Sequence, residues 1–276
     1  MKKNKISFAL LTIAALLSLL NLSCKRDEPD EPVFPTRQQY LLKSIQWEEG
    51  TKSDFSYNPD STIKERSDRS GQRRELTSFV WENGRMVQHA QESSLYTNSY
   101  NYSTSGQISG IRNRYKDIPL TNGYELKFQY QSNGLLAKMQ YNQINEAGET
   151  LIQEAIYQYN NKELIKIQGF DKLGRLKLEN SIESYSDSCD FLPWVFISTS
   201  LSPLYQIYNY PVLSNMKKLP TRIVQKLYDN DGIVSSTYIY INQPVIDGYA
   251  IKELKQEVLH PDNPTYNSAN TGTFLY

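Results

Sequence analysis

The sequence predicts an all-β protein whose strands form an extended antiparallel meander. Three observations support this class. Tyr, which suits half-buried strands, occurs 21 times. A short phrase of aromatic residues, a polar turn and a glycine recurs along the chain, and several segments alternate with the period of two that strands require. The 30 basic and 30 acidic residues balance, so the composition gives no indication of nucleic-acid binding.

Residues 1–23 have the layout of a secretory signal peptide. Three lysines, Lys2, Lys3 and Lys5, precede an apolar run from Ile6 to Leu20. The alternative is a transmembrane anchor, but the run is shorter than the roughly 20 residues that a span needs. We therefore expect export and removal of the leader.

Cys24 ends the segment "LNLSC", which resembles a bacterial lipobox, although Asn21 stands where Leu is usual. The resemblance implies cleavage before Cys24 and acylation of its thiol and of the new N-terminus. Two or three acyl chains hold a protein stably at a membrane. The only other cysteine is Cys189, so no disulfide is expected.

Residues 24–39 are charged and rich in Pro, a composition that predicts an unfolded tether. The acids just after Cys24 resemble the export signal of Bacteroidetes surface lipoproteins. We therefore expect a lipid anchor in the outer membrane with the domain at the cell surface; the periplasmic face is the alternative. Residues 40–276 are predicted to form a single antiparallel β domain.

The recurring phrase has the physical requirements of a β-hairpin. Alternating aromatics share one strand face, Asn or Asp starts the turn, and glycine accepts a positive φ before the returning strand. The second aromatics of the seven copies are Tyr57, Trp81, Tyr102, Tyr130, Tyr159, Phe170 and Tyr228. The predicted turn glycines are Gly84, Gly106, Gly134, Gly174 and Gly232, with Ser61 and Glu163 in the glycine place of two copies.

Other segments complete the predicted sheet. Strands are expected over 40–47, 235–243 and 248–260, the last having a helix as its alternative. The apolar segment 191–223 contains no copy of the phrase. A short helix or apolar insert near 200–213, with Pro211 ending the helix, is expected to plug one end of the sheet or to cover one face.

The copies at Phe170 and Tyr228 resemble the YD repeats of large secreted bacterial proteins. The whole arrangement is similar to a family of Bacteroidetes lipoproteins with a lipobox, Tyr-rich hairpins and a late apolar insert. Over roughly 40–260, this resemblance implies an extended, curved antiparallel sheet, open or half-barrel, described as porin-like. It implies no established activity.

Chemical motifs are scarce. His89 and His260 are far apart in the sequence, and without HExxH or CxxC no metal site and no cofactor are expected. Without G-x-S-x-G or a glycine-rich phosphate loop, no catalytic residue is assigned and the protein is predicted not to be an enzyme. An acid pair brought together by folding, as in a glycoside hydrolase, stays open as an alternative.

Binding is the remaining function class. Trp47, Trp81 and Trp194 are the candidate ligand-binding residues, because indole rings stack on sugars; the alternative for Trp81 is a core aromatic of its hairpin. We expect a non-catalytic, outer-membrane-anchored lipoprotein that binds a glycan, a peptide or a partner protein. The alternatives are a periplasmic structural, assembly or lipid-holding factor, with a closed apolar interior, and the glycoside hydrolase.

Overall fold

The described part of the chain is a β-barrel. A computed structural model describes residues 41–94, 96–115, 123–190, 192–196 and 210–276. The predicted signal peptide, Cys24 and the tether lie outside the described residues. The barrel belongs to one compact unit.

Sixteen strands, two single-turn helices and a 3₁₀ turn make up the described fold. The strands are β1 Ser44–Trp47, β2 Lys52–Tyr57, β3 Ile63–Ser70, β4 Arg73–Glu82, β5 Arg85–Gln91, β6 Tyr96–Tyr102, β7 Ile108–Tyr115, β8 Gly123–Tyr130, β9 Leu136–Asn145, β10 Gly148–Asn160, β11 Glu163–Asp171, β12 Leu176–Ser188, β13 Lys218–Tyr228, β14 Val234–Asp247, β15 Ala250–Leu259 and β16 Ser268–Leu275. The helices are α1 Pro193–Phe196 and α2 Tyr210–Leu213, and the 3₁₀ turn is Pro264–Tyr266.

The sheet is closed, so the expectation of an open or half-barrel is wrong. Every strand pairs antiparallel with its neighbours in the chain, and β1 pairs with β16 from Ser44↔Leu275 to Trp47↔Gly272. This last pairing removes both edges of the meander. Hairpin signals cannot predict it, because it joins the two ends of the β domain. The predicted strand over 248–260 is confirmed as β15.

The barrel has two rims. Because neighbouring strands are antiparallel, successive connections lie alternately at one rim and the other. The insert rim is the one at which β12 ends and β13 begins, on either side of the insert. It also carries the turns at 58–62, 83–84, 103–107 and 131–135, and the ends of the barrel near Leu42 and Tyr276. The far rim carries the turns at 172–175 and 229–233 and the loop at 260–267.

The interior changes character from one rim to the other. Towards the insert rim, inward side chains are apolar and fully buried, as at Ile45, Ile63, Met86, Leu136 and Leu254. Towards the far rim, buried amides take their place. These polar residues are Asn98, Asn113, Asn180 and Gln225. A further buried amide, Asn242, lies nearer the insert rim and donates to the Pro220 carbonyl at 2.8 Å. The apolar half supplies most of the burial that stabilises the barrel.

Aromatic residues at the insert rim tie neighbouring hairpins together. The Tyr102 hydroxyl donates to the Met86 carbonyl at 2.8 Å, and the Tyr130 hydroxyl donates to the Ile108 carbonyl at 2.7 Å. Four further side chains donate in the same way to a backbone carbonyl in or just before the preceding strand. These pairs are Tyr57 to Leu42, Trp81 to Ile63, Tyr185 to Leu164 and Tyr276 to Ile251. Each ring therefore links its own hairpin to the preceding one.

The seven copies of the phrase divide between the rims. Five of them end at the insert rim, whereas the copies at Phe170 and Tyr228 end at the far rim. Their neighbours Gly169 and Leu227 share the inward face with Ala155 and Leu178, so Phe170 and Tyr228 point outward. One repeated sequence pattern thus serves two different structural roles.

The turn residues have the backbone conformation that hairpins need. Gly84, Gly106, Gly134, Gly174 and Gly232 all have positive φ, between 72° and 85°. At the two copies without glycine, Ser61 itself takes φ 67°, while Asn161 and Lys162 take φ 47° and 69°. The Glu163 position is therefore no substitute for glycine, because a shorter two-residue turn precedes it.

The buried residues of the described insert, such as Trp194 and Val212, pack against the inward side chains of the barrel. The inward-facing Arg66 donates to the Trp194 carbonyl of α1 at 3.1 Å, and Tyr210 of α2 meets the inward ring of Tyr100 edge-on at 5.6 Å. Of the insert expected near 200–213, the structure describes only the last residues, 210–213. Residues 197–209 lie outside the described ranges. Pro211 does not end the helix as expected; it stands in its first turn, where proline is tolerated.

The outward face is polar and crossed by ion pairs between neighbouring strands. Examples are Lys166 with Glu179 at 3.2 Å and Arg222 with Glu183 at 2.6 Å. Large apolar side chains on this face, such as Val80 and Ile165, are scattered. Among the helices described, none has the length and apolar character needed to cross a bilayer.

Candidate functional site

A groove at the insert rim is the candidate binding site. It lies between the tips of three hairpins and the residues of α2, and its volume is about 290 Å³. That value is close to the lower end of small-molecule sites, roughly 300 Å³. The aromatic residues that line it are Trp81, Tyr102, Tyr130 and Tyr210.

Three of these aromatics are placed by the repeated phrase. Trp81, Tyr102 and Tyr130 come at the ends of β4, β6 and β8, so every second strand delivers one ring to the same rim. Their polar atoms are fixed by the bonds to backbone carbonyls described above. Burial raises the pKa of Tyr130 to about 12 and also raises the pKa of Tyr102. The aromatic wall is therefore neutral and rigid at physiological pH.

Arg85 lies at the mouth of this groove. Its guanidinium carbon is 5.3 Å from the centre of the Tyr102 ring, a cation–π distance. A Cβ on Gly106 would come within 2.9 Å of Arg85 Nη2, so glycine at this turn leaves room for the guanidinium. Arg85 is exposed and has no hydrogen-bonding or ion-pair partner within the described ranges. It therefore presents its N–H groups to a ligand.

Fixed amides complete the groove. Gln107 Nε2 donates to the Gly134 carbonyl at 3.2 Å, and Asn215 Nδ2 donates to the Pro211 carbonyl at 2.9 Å. Ser214 lies beside Asn215 and is exposed. None of the described lining residues is acidic, so the formal charge of the described lining is that of Arg85.

The three candidate tryptophans do not converge. Trp81 lines the groove, while its Nε1 donates to Ile63 at 2.7 Å and holds two hairpins together. Trp47 covers the glycine opposite it, since a Cβ on Gly272 would lie 2.8 Å from the indole. Trp194 is buried in α1 against Tyr57, with ring centres 6.3 Å apart. Only Trp81 is thus placed at the groove, and it also has a structural role.

A polar network in the interior centres on His89. Its Nδ1 is 2.7 Å from the Tyr100 hydroxyl and its Nε2 is 2.8 Å from Asn98 Nδ2. Asn113 in turn donates to Asn98 at 2.9 Å. Burial, with a smaller contribution from the charge of Arg66, lowers the pKa of His89 to about 4. His89 is therefore a neutral structural residue at pH 7.

Three described carboxyl groups have lowered pKa values, the opposite of what a general acid needs. A glycoside hydrolase needs one carboxyl whose pKa is raised. Hydrogen bonds from Ser93 lower the pKa of Glu75, and hydrogen bonds from Thr62 lower that of Asp60. Hydrogen bonds and the charge of Arg175 more than offset the burial of Asp171, so its pKa is lowered as well. Within the described ranges, no group of three metal-ligating side chains comes together.

Sequence reasoning missed most of the groove. Tyr210, Ser214 and Asn215 belong to the insert, whose path through the barrel no local pattern encodes. Arg85 follows the turn glycine of its copy directly, but neighbouring copies carry other residues there. The available signal was the phrase itself, which places Trp81, Tyr102 and Tyr130 at strand ends, although only Trp81 was predicted to bind a ligand.

Comparison with solved structures shows the fold. A porin-like protein from Bacteroides uniformis ATCC 8492 matches with a TM-score of 0.53 and 13% identity, over 86% of this chain and 96% of that one. A porin-like protein from Bacteroides vulgatus ATCC 8482 matches with a TM-score of 0.54 and 11% identity, over 85% of this chain and 98% of that one. No family model matches the chain, and no curated protein matches it. The chain has the all-β barrel fold of these two Bacteroides porin-like proteins.

Proposed function

We propose that this protein is a non-catalytic binding protein of the outer membrane, anchored by a lipid on Cys24, and that the groove at the insert rim binds a glycan. The observation that carries the proposal is the groove itself. It combines aromatic rings, fixed amides and one guanidinium, which are the groups that recognise the faces and hydroxyls of sugars.

The polar outward face of the barrel favours attachment to the membrane through a lipid rather than through membrane-spanning strands. A transmembrane β-barrel carries an apolar band on its outside, flanked by aromatic girdles. Here the outside carries ion pairs such as Lys127–Glu149 and Lys138–Glu154. These charges favour a barrel surrounded by water, with Cys24 and the tether holding it near the membrane.

The interior weighs against the lipid-holding alternative. The apolar half is occupied by tightly buried side chains such as Ile167, Leu219 and Ile251, and the other half is lined by amides. The lowered pKa values of Asp60, Glu75 and Asp171 make these three carboxyl groups unsuited to the general-acid role in a hydrolase. A glycan-binding role requires neither a lipid-sized cavity nor a carboxyl group with a raised pKa.

The groove is tested by blocking it. The full-length protein in detergent is applied to a glycan array, together with Ser214→Trp, which fills the groove from an exposed position. Ser56→Trp, exposed on the outward face of β2, is the matched control. We expect Ser214→Trp to weaken binding at least tenfold and the control to leave it unchanged. Equal binding by both variants, or no bound glycan, contradicts a glycan-binding groove.

The anchor is tested separately at Cys24. Cys24→Ala should release the protein from the membrane fraction and abolish labelling by a clickable fatty acid, because the thiol that carries the lipid is gone. Retention of the variant after a carbonate wash would instead indicate that the apolar run at residues 6–20 is a membrane span.

Surface exposure is tested with protease on intact cells. We expect digestion of the wild-type domain, and protection when the four acids of the tether are neutralised. These acids are Asp27, Glu28, Asp30 and Glu31. Protection of the wild-type protein, with digestion only after the outer membrane is breached, would favour the periplasmic face.

A further inference from the structure

We infer that the ligand of this groove is an acidic glycan, whose carboxylate pairs with Arg85. This inference deepens the proposed glycan binding and rests on it. It concerns only the charge of the sugar, so it fails independently if the groove binds neutral sugars instead.

The guanidinium has no partner of its own in the described structure. Other arginines on the barrel, such as Arg175 and Arg222, pair with a carboxylate at 2.7 Å and 2.6 Å. Arg85 has only the ring of Tyr102 beneath it. A planar guanidinium stacked on an aromatic ring keeps its edges free, and those edges match a carboxylate in a two-pronged hydrogen bond.

The approach to Arg85 is preorganised. Packing on Tyr102 positions the guanidinium at the mouth of the groove, and the absence of a side chain at Gly106 leaves room for it there. A held arginine loses less conformational freedom on binding than one that moves freely in solvent. No carboxylate of the described lining competes with the ligand for it.

The rest of the groove favours a sugar over a simple anion. The rings of Trp81, Tyr130 and Tyr210 offer apolar surface, and the fixed amides of Gln107 and Asn215 offer oxygen acceptors. An inorganic anion uses none of these groups. A sugar that carries a carboxylate, such as a uronic or sialic acid, uses all of them.

The test is an array that pairs oligosaccharides containing uronic or sialic acids with their methyl esters, which keep the rings but lose the charge. Wild-type full-length protein should bind at least one acid about tenfold or more tightly than its ester, as a charged hydrogen bond implies. This preference should weaken as salt is raised, because the pair lies at an exposed mouth.

Arg85→Gln should remove the preference, because it should weaken binding of the acid far more than binding of the ester, and Arg85→Lys should keep part of the preference. Arg112→Gln, on the outward face of β7, is the matched control and should change nothing. Equal binding of acids and esters by the wild-type protein overturns the inference, although the groove would still bind glycans. Binding of acidic peptides alone would also overturn it. Loss of all binding in Ser214→Trp, with no effect of Arg85→Gln, would locate the ligand in the groove but away from Arg85.

Discussion

The two rims of the barrel use the same sequence phrase in opposite ways. At the insert rim, Tyr57, Trp81, Tyr102 and Tyr130 point inward and donate hydrogen bonds to the backbone of the preceding strand or its start, as Tyr130 does to Ile108. At the far rim, Phe170 and Tyr228 point outward, and the turn is held by an aspartate, much as Asp60 and Asn133 hold two of the insert-rim turns. Asp171 accepts bonds from the amides of Leu173 and Arg175 at 2.9 and 3.0 Å, and Asp229 accepts from Ile233 at 2.8 Å.

The difference teaches that the turn, and not the aromatic, is the common part of the phrase. Both kinds of copy need the positive φ that ends the turn. The aromatic packs inward only where an apolar interior and the insert receive it. Leu173 and Ile233, at the tips of the far-rim turns, are 68% and 64% exposed, so that rim contributes little to the core.

The largest difference in stability between the two rims should appear when one leucine near each rim is replaced by alanine. Leu254→Ala removes a fully buried side chain beneath the insert rim and should lower the free energy of unfolding by about 2–5 kcal/mol. The same change at the exposed Leu173 should have an effect within about 0.5 kcal/mol. Urea unfolding of the two variants measures both values. A comparable loss at Leu173 would mean that the far rim is as tightly packed as the insert rim.

Acidification should act on the polar interior. Because burial holds the pKa of His89 at about 4, the unfolded chain takes up a proton below pH 6.5 that the native barrel excludes. The free energy of unfolding should therefore fall by about 3 kcal/mol between pH 6.5 and pH 4, and this contribution should be flat above pH 7. Urea unfolding across this range, compared with His89→Gln, isolates the effect. An unchanged pH profile in the variant would argue that another group is responsible.

Turn glycines should be sensitive at either rim. Gly174→Val or Gly232→Val should each cost about 1 kcal/mol or more, because a β-branched residue resists positive φ. Gly174→Asn is the control and should cost less, since Asn tolerates this conformation. Thermal unfolding measures the series. If Val and Asn at position 174 proved equally stable, backbone strain would not be the reason for glycine there.

The smallest expected difference in stability is between removing the hydroxyl of an inward-facing tyrosine and removing that of an outward-facing one. Tyr130→Phe deletes a hydroxyl that bonds a backbone carbonyl and should destabilise the barrel by about 1 kcal/mol. Tyr228→Phe, at the outward-facing copy, should be neutral within about 0.5 kcal/mol. Equal changes in the urea midpoint would show that the bonds between hairpins do not stabilise the insert rim.

Local patterns predicted most of the fold because hairpins are local. The turn glycines and the alternating segments are read within about ten residues of chain, and the all-β class and the strand over 248–260 followed from them. The groove was not predictable in the same way. Its aromatic wall comes from three separate hairpins. Arg85 could be recognised as a binding residue only once the structure had placed it beside Tyr102 and Gly106.

The sequence by itself determined where the chain turns and which face of each strand is apolar, because both depend on neighbouring residues. Only the tertiary structure decided that the meander closes, since β1 and β16 pair although they lie at opposite ends of the β domain in the sequence. It also decided which aromatics point inward, because a ring packs only where there is an interior to receive it. The tertiary structure also brought α2 against three hairpins to form the groove. The burial of Trp194, Val212 and Leu213 is a long-range packing result that a hydrophobic run alone cannot specify.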